Sequence, residues 1–278
     1  MPNAVGTWPL DDITRAVGPL LDGFVAELLP SIDSTNTELM RRARAGRPAP
    51  TLLVAEVQTA GRGRLGRAWV SQDADAAHTA RAGQVQRALT FSLGLALNPR
   101  DWSGLSLAVG VSVACSLHPA LQLKWPNDLW LGGRKLAGIL IETAAIADQR
   151  YVVVGVGVNI TEPFATGLSV APAWLQELLP QCDAPQALLR IVPALVAAIR
   201  QFEAEGLAPF LGEYAARDLL SGRAVVLSDG VIGTAQGIDA GGGLLVHTPA
   251  GMKTITSAEV SVRTADDALP VTGRTLPV

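Results

Sequence analysis

Two stretches of the chain concentrate residue types that handle anions. The first is "TAGRGRLGRAWVS" at 59–71, where Arg62, Arg64 and Arg67 are threaded between Gly61, Gly63 and Gly66 directly after the apolar run "TLLVAEV". Arginine offers a permanent charge on a planar fork of donors, and glycine lets backbone N–H groups come close, so together they can cradle a phosphate or carboxylate. A solvated basic turn is the plainer alternative. The second stretch is "KWPND" at 124–128, followed by Gly132-Gly133 and Lys135. Lysine is scarce: of 22 basic side chains only Lys124, Lys135 and Lys253 are lysines, and two of them fall here. A lysine is a mobile point charge that can follow an anion as charge moves, although a surface position explains it equally. In the same segment Pro126 fixes the backbone, Trp125 can pack or stack, and Asn127 and Asp128 set an amide and a carboxylate on one turn. Asp128 can hold Mg²⁺ at a nucleotide phosphate, directly or through water, or it can simply form the turn.

Other chemistries find less support. Gly61-Arg62-Gly63-Arg64-Leu65-Gly66 also reads G-x-G-x-x-G, but a dinucleotide loop needs a helix opening at once and an acidic residue some way on. The succeeding residues, "RAWVSQDAD", make a poor helix, and "GVGVN" at 155–159 runs into "TEPFATG". Three histidines form no plausible Ser-His-Asp or Cys-His set. Cys115 and Cys182 are far apart and outside any metal-spaced cluster, which fits a reducing cytoplasm.

Several elements must position these residues. Residues 1–30 alternate short apolar pieces with Pro and Gly and read as an extended lead-in with one helix at most. "DSTNTELMRRARAG" predicts a helix capped by Thr35, with Glu38 reaching back and Gly46 as the stop. "TLLVAEVQ" and "ALTFSLGLAL" read as strands, with a polar surface loop at 72–87 before the second. "SGLSLAVGVSVACSLH" reads as a helix with small residues on a packing face. "LQLKWPNDLWLGGRKLAGILIET" reads as two strands joined across Gly132-Gly133, and "YVVVGVGVNI" as a central strand buried on both faces. Residues 185–206 carry a helical period that "FLGEYAARDLL" continues. After Gly222, short strands separated by Asp-Gly, Gly-Gly-Gly and Pro-Ala-Gly predict a small all-β barrel.

Composition sets the frame. With 278 residues, 49% of them hydrophobic, the chain can bury one sizeable core plus a small second domain. A net charge of −3 offers no general attraction to DNA or to a membrane, so neither is an expected partner. The most apolar run, "GLSLAVGVSVACSL", is broken by serines and stops at His118-Pro119, so neither a signal peptide nor a membrane span is expected.

Five motifs, "STN" at 34–36, "GRGRLGR" at 61–67, "KWPND" at 124–128, "RKLAGILIE" at 134–142 and "GVGVN" at 155–159, stand in the order and approximate spacing of the biotin–protein ligases, which the chain resembles over most of its length. The resemblance implies an α+β, mixed-sheet catalytic domain related to class II aminoacyl-tRNA synthetases over 31–220, an SH3-like barrel over 221–265 and a tail over 266–278. It implies a monofunctional ligase that joins biotin to ATP, giving biotinyl-5′-AMP and pyrophosphate, and then transfers biotin to a lysine of a biotin carboxyl carrier domain. It places Ser34, Thr35, Asn36 and Gln58 at the biotin ring, and Arg62, Gly63 and Arg64 at the biotin carboxylate and adenylate phosphate. Lys135 would bridge both. Arg67, Trp69, Lys124, Asn127 and Asn159 would stand on the ATP side, and Asp128 would bind Mg²⁺. Arg64, Lys135 and Asp128 are the residues assigned to the chemistry.

Two features depart from the family pattern. Bifunctional members carry an N-terminal winged helix, for which the roughly 30 residues before "DSTN" are too few, so a ligase that does not read an operator is expected. The segment 72–87 stands where the family turns quickly into its next strand. A lipoate or octanoate ligase shares the acyl-adenylate chemistry, but the Ser-Thr-Asn plus Gln58 set suits ureido partners better than an apolar acyl chain does. A nucleic-acid or peptide module on the barrel would need aromatic side chains, and residues 222–264 contain none. Family precedent allows a monomer or a homodimer.

Overall fold

The computed structural model describes residues 7–69, 86–146, 149–163, 171–256 and 263–264. Seven strands form the main sheet: β1 (Val25–Ile32), β2 (Thr51–Gln58), β3 (Ala88–Ala96), β4 (Gln122–Lys124), β5 (Asp128–Leu131), β6 (Arg134–Ile146) and β7 (Gln149–Asn159). Their order is β1-β2-β3-β7-β6-β5-β4, parallel only between β1 and β2. The helices are α1 (Leu10–Val17), α2 (Thr35–Arg44), α3 (Leu105–Leu117), α4 (Ala184–Glu205) and α5 (Leu211–Arg217).

The two faces of the sheet are written into β7 by side-chain alternation. Val152, Val154, Val156 and Val158 join the main core, into which α1, α3 and α4 also bury their apolar residues. The opposite face carries Tyr151, Val153, Gly155 and Gly157. Tyr151 and Val153 pack with Leu39, Met40 and Ala43 of α2 in a smaller cluster, leaving the glycine half of that face for the site. The strand is buried throughout its centre, as its β-branched run predicts.

Four expectations are corrected. Residues 10–30 are not a lead-in: Ile13 and Val17 of α1 are fully buried in the main core, and β1 supplies the sheet's outer parallel strand. The cap of α2 is Ser34, whose side chain accepts from Thr37 N, while Glu38 pairs with Arg41 and Arg42. Thr35 is instead drawn inward, to Gln58 and Ser92. The predicted two-stranded hairpin is a three-stranded meander, because Trp125-Pro126-Asn127 makes its own turn between β4 and β5, with a cis Trp125-Pro126 bond. The "FLGEYAARDLL" segment does not continue α4: Gly206 at φ 71° ends that helix, and α5 starts anew. The loop expected over 72–87 lies outside the described residues except for Gln86 and Arg87.

Beyond Gly222, strands β8 (Ala224–Val226), β9 (Ile232–Ile238), β10 (Leu244–Thr248), β11 (Gly251–Ile255) and β12 (Arg263–Thr264) form an antiparallel sheet in the order β11-β10-β9-β8-β12. Its end strands are not paired with each other among the described residues, so the expected barrel is an open sheet here. The Gly241–Gly243 turn of this sheet docks on the larger domain. Trp125 Nε1 donates to Gly242 O at 3.0 Å, and a methyl on Gly242 would meet Leu107 and Leu207. No helix among the described residues is long and apolar enough to cross a membrane.

Candidate active site

The arginine–glycine segment leaves the end of β2 and folds back on itself. Arg62 and Ala68 form an antiparallel bridge, Gly63 N donates to Arg67 O at 2.7 Å, and Trp69 N donates to Gly61 O at 2.9 Å. Leu65 at its tip is exposed and adopts the left-handed φ of 56°, which a side chain tolerates poorly. The turn thereby directs Arg62 and Arg64 back toward the sheet and lays Trp69 across it.

The sheet receives them because it has no side chains there. Gly138 of β6 pairs with Gly157 of β7, and Leu140 with Gly155. A methyl on Gly157 would stand 2.4 Å from the Trp69 ring, and one on Gly155 would stand 2.1 Å from Asn36 Oδ1. Close approach is therefore the reason for glycine at both positions. The Trp69 indole N–H is buried and has no hydrogen-bond partner among the described residues.

One pocket collects Ser34, Thr35, Asn36, Gln58, Arg62 and Gly63, together with Arg64, Trp69, Asn127 and Lys135. These come from the start of α2, the end of β2, the arginine turn, the 125–127 turn and β6, segments far apart in sequence. At one end the walls are buried and polar. Thr35 N donates to Gln58 Oε1 at 2.8 Å, and Asn36 Nδ2 donates to Glu142 Oε2 at 3.0 Å. Ser34, Thr35, Asn36 and Ser92 are each at most 3% exposed. The other end is cationic. Arg64 Nη1 donates to Asn127 Oδ1 at 3.0 Å, and Lys135 Nζ lies 2.8 Å from Asp128 Oδ1. Burial lowers the Arg64 pKa, the charge of Asp128 opposes that fall and Arg67 adds to it. A guanidinium nevertheless stays protonated in proteins, so half-buried Arg64 is a fixed cation at this end of the pocket.

The remaining expected residues stand outside that pocket. Asp128 does not line it but pairs with Lys135, which does. Arg67 is exposed on the turn. Lys124 is buried with its ammonium 4.0 Å from the centre of the Trp130 ring, and it lines a small cavity with Asp128 and Tyr214. Asn159 donates to Ala173 O at 2.9 Å, and Ala173 N donates to Lys135 O, so Asn159 fixes the segment behind Lys135. Lys253, which had no assigned role, pairs with Asp229 on the C-terminal sheet. A larger cleft, lined by Arg64, the start of α3, Trp125–Asn127 and Gly241–Gly243, shares Arg64 and Asn127 with the pocket. Sequence reasoning missed Thr90 and Ser92 on β3 and a site role for Glu142. The signal for the first two was present: in "ALTFSLGLAL" the small or polar Thr90, Ser92 and Gly94 alternate with Leu89, Phe91, Leu93 and Leu95.

No group of three or more His, Cys, Asp or Glu side chains that could hold a metal ion exists among the described residues. A single carboxylate, Asp128, beside a cationic pocket suits Mg²⁺ shared with substrate phosphates and water rather than a cage built of protein ligands.

Comparison with known proteins agrees with this geometry. Residues 28–159 match the Biotin/lipoate A/B protein ligase family, and residues 220–263 match the Biotin protein ligase C terminal domain. The chain is 35% identical over 256 residues to the Bifunctional ligase/repressor BirA of Escherichia coli, covering 88% of this chain and 76% of that one. It is 33% identical over 251 residues to the Biotin--[acetyl-CoA-carboxylase] ligase of Paracoccus denitrificans, covering 84% and 98%. Among solved structures, the biotin protein ligase from Aquifex aeolicus in complex with biotin and ATP superposes with a TM-score of 0.71 at 29% identity, over 86% of this chain and 99% of that one. A polar ring pocket joined to a cationic turn on a glycine floor, together with these relatives over nearly the whole sequence, means that the chain belongs to the biotin protein ligase family.

Proposed function

We infer that this protein is an ATP-dependent biotin–protein ligase acting in the cytoplasm on the biotin carboxyl carrier domain of acetyl-CoA carboxylase or a related carboxylase. The observation that carries this reading is the polarity of one pocket: buried hydroxyl and amide groups at one end, Arg64 and Lys135 at the other. A ureido ring can exchange hydrogen bonds with Thr35, Asn36 and Gln58, which an apolar lipoyl or octanoyl chain cannot. The biotin carboxylate then lies toward Arg62, Arg64 and Lys135.

The first step forms a bond between a carboxylate oxygen and the α-phosphorus of ATP and breaks the bond to pyrophosphate. Two anions must approach, and the barrier is largely their repulsion. Arg64 and Lys135 offset it and stabilise the charge that develops on the phosphoryl oxygens. Each carries more N–H groups than its present contact uses, Arg64 with the Asn127 amide oxygen and Lys135 with the Asp128 carboxylate, so other N–H groups can meet the phosphoryl oxygens. Asp128 is the residue that would hold Mg²⁺, which neutralises phosphate charge when bound. Arg67, Lys124, Asn127 and Asn159 serve the nucleotide side, Lys124 and Asn159 by supporting the turn and the strand that carry Asp128 and Lys135. In the second step the deprotonated lysine amine of the carrier attacks the acyl carbon, an amide forms and AMP leaves. Trp69 packs over the adenylate and keeps water from the anhydride.

The test is transfer of labelled biotin to a purified carrier domain with Mg-ATP, beside Lys135→Ala and with lipoate as competing acid. Biotin transfer that falls by about 10²–10³-fold in the variant is expected for loss of one charge-stabilising group. Transfer of lipoate in preference to biotin, or of neither acid, refutes the reading.

A further inference from the structure

Three oxygen-to-oxygen contacts meet around Thr35 and Ser92, yet only two hydroxyl protons can fill them. Ser92 Oγ lies 2.6 Å from Asn36 Oδ1 and 2.7 Å from Thr35 Oγ1, while Thr35 Oγ1 lies 3.1 Å from Gln58 Oε1. The two amide oxygens cannot donate, and neither amide can be turned round. Asn36 Nδ2 is fixed by two acceptors, Glu142 Oε2 at 3.0 Å and Leu140 O at 3.2 Å, so its oxygen faces Ser92. Gln58 must offer oxygen to helix α2 because Thr35 N donates to it at 2.8 Å. One contact therefore goes without a proton. The longest, Thr35 to Gln58, is where facing lone pairs repel least, and that Gln58 oxygen already receives a backbone N–H. The Ser92 proton goes to Asn36, and the Thr35 proton goes to Ser92.

We propose that Ser92, a fully buried residue outside the sequence motifs, determines specificity by taking the Thr35 hydroxyl proton, so that Thr35 Oγ1 meets the ligand as a hydrogen-bond acceptor and selects a ring that presents an N–H there. Asn36 and Glu142 are its supports. Glu142 holds the Asn36 amide and is itself 3.2 Å from Arg62 Nη1, which ties the proton direction to the arginine turn. A ligand with a ring oxygen at that point would set lone pairs against lone pairs in a buried site, an arrangement far more costly than a lost contact in water. The proposal rests on the ligase reading only for the identity of the acid.

Two measurements test it. The first is calorimetric binding of biotin and of its two cyclic carbamate analogues, each with oxygen in place of one ring N–H, to the wild type, Ser92→Ala and Ser92→Cys. Wild type is expected to bind one of the analogues about 10²-fold or more weakly than biotin, as sites built around a substrate N–H do. In Ser92→Ala the Thr35 hydroxyl can turn its proton to the ring oxygen, and that ratio falls by about tenfold or more. Ser92→Cys keeps the side-chain bulk and shifts the ratio in the same direction, so the test survives an unstable alanine variant. A ratio unchanged in both variants, or a wild type that binds both analogues as well as biotin, overturns the proposal. The second is NMR detection of the Thr35 hydroxyl proton in the unliganded protein, expected to be slow to exchange and directed at Ser92. A proton directed at Gln58 overturns the proposal whatever the protein binds. Failure to bind biotin at all would instead overturn the ligase reading, with the NMR result still deciding the proton's direction.

Discussion

Replacing Gly157 by alanine separates the role of the glycine floor from that of the fold. The added methyl would stand 2.4–2.8 Å from the Trp69 indole, whereas carbon atoms rest about 3.5–4.0 Å apart. The shortfall is about 1 Å, and the strand cannot yield it, because Gly157 is paired on both sides, with Thr90 and with Gly138. Trp69 must move instead, taking with it the turn tied through Trp69 N to Gly61 O. Alanine suits a strand backbone and stabilises by about 0.4–1 kcal/mol through the unfolded state, against about 1–3 kcal/mol for overpacking. Global stability should therefore fall by no more than about 2.6 kcal/mol, the larger overpacking cost less the smaller gain. Catalysis should suffer more, since a misplacement of about 1 Å can cost on the order of 10²-fold. The assay is biotin-dependent exchange of pyrophosphate into ATP, which reads the first step alone, with chemical denaturation as the stability control. In a Trp69→Ala background, itself impaired by loss of the indole, Gly157→Ala should cost little further, because the clash is absent. Exchange within about threefold of wild type in a folded Gly157→Ala protein would refute the seating of Trp69 on this floor.

Contacts away from the pocket carry two more expected outcomes. Trp125→Phe removes the indole bond to Gly242 O and should destabilise the protein by about 0.5–1.5 kcal/mol in chemical denaturation, with earlier proteolytic cutting in the C-terminal sheet; an unchanged unfolding midpoint would show that the turn docks without it. Asp218 is pushed above the ordinary carboxyl pKa by burial, against backbone N–H bonds from Leu220 and Ser221, and its Oδ2 has no hydrogen-bond partner among the described residues. A raised folded pKa means that the ionised form weakens the fold at neutral pH, and that this penalty fades as pH falls through the raised value toward the ordinary 3.8. Asp218→Asn should accordingly raise the thermal midpoint at pH 7 by a margin that shrinks toward pH 4, and a pH-independent difference would contradict the assignment.

Much of this molecule was legible in one dimension. The continuous β-branched run of β7, buried on both faces, and the 3–4 spacing of α4 follow from the side chains themselves, since a central strand has no solvent face and a helix repeats every 3.6 residues. That Ser34–Asn36 and Arg62–Arg64 stand out as pocket residues was readable because their motifs are local: Ser34–Asn36 start a helix, and Arg62–Arg64 sit between glycines. The errors were also local in origin. Thr35 has the chemistry of a cap, and nothing within the α2 segment shows that Ser92, 57 positions away, will claim its hydroxyl. "LQLKWPNDLWL" has enough apolar residues for one strand, and only pairing reveals that Asp128 turns back onto Lys124.

Residue types along the chain already settle which groups are available: nearly all the cations as arginine, two of three lysines near one turn, and strands that put glycine where others carry side chains. Those choices are chemical, and composition and spacing are enough to read them. Which groups face the same space is a matter of three-dimensional packing. It set Asn127 and Lys135 in the pocket and Lys124 against Trp130, although all three lie within twelve positions of one another. It also made acceptors or donors of side chains that can be either, because the direction of a hydroxyl proton depends on neighbours that the chain brings together only when the sheet closes beneath α2.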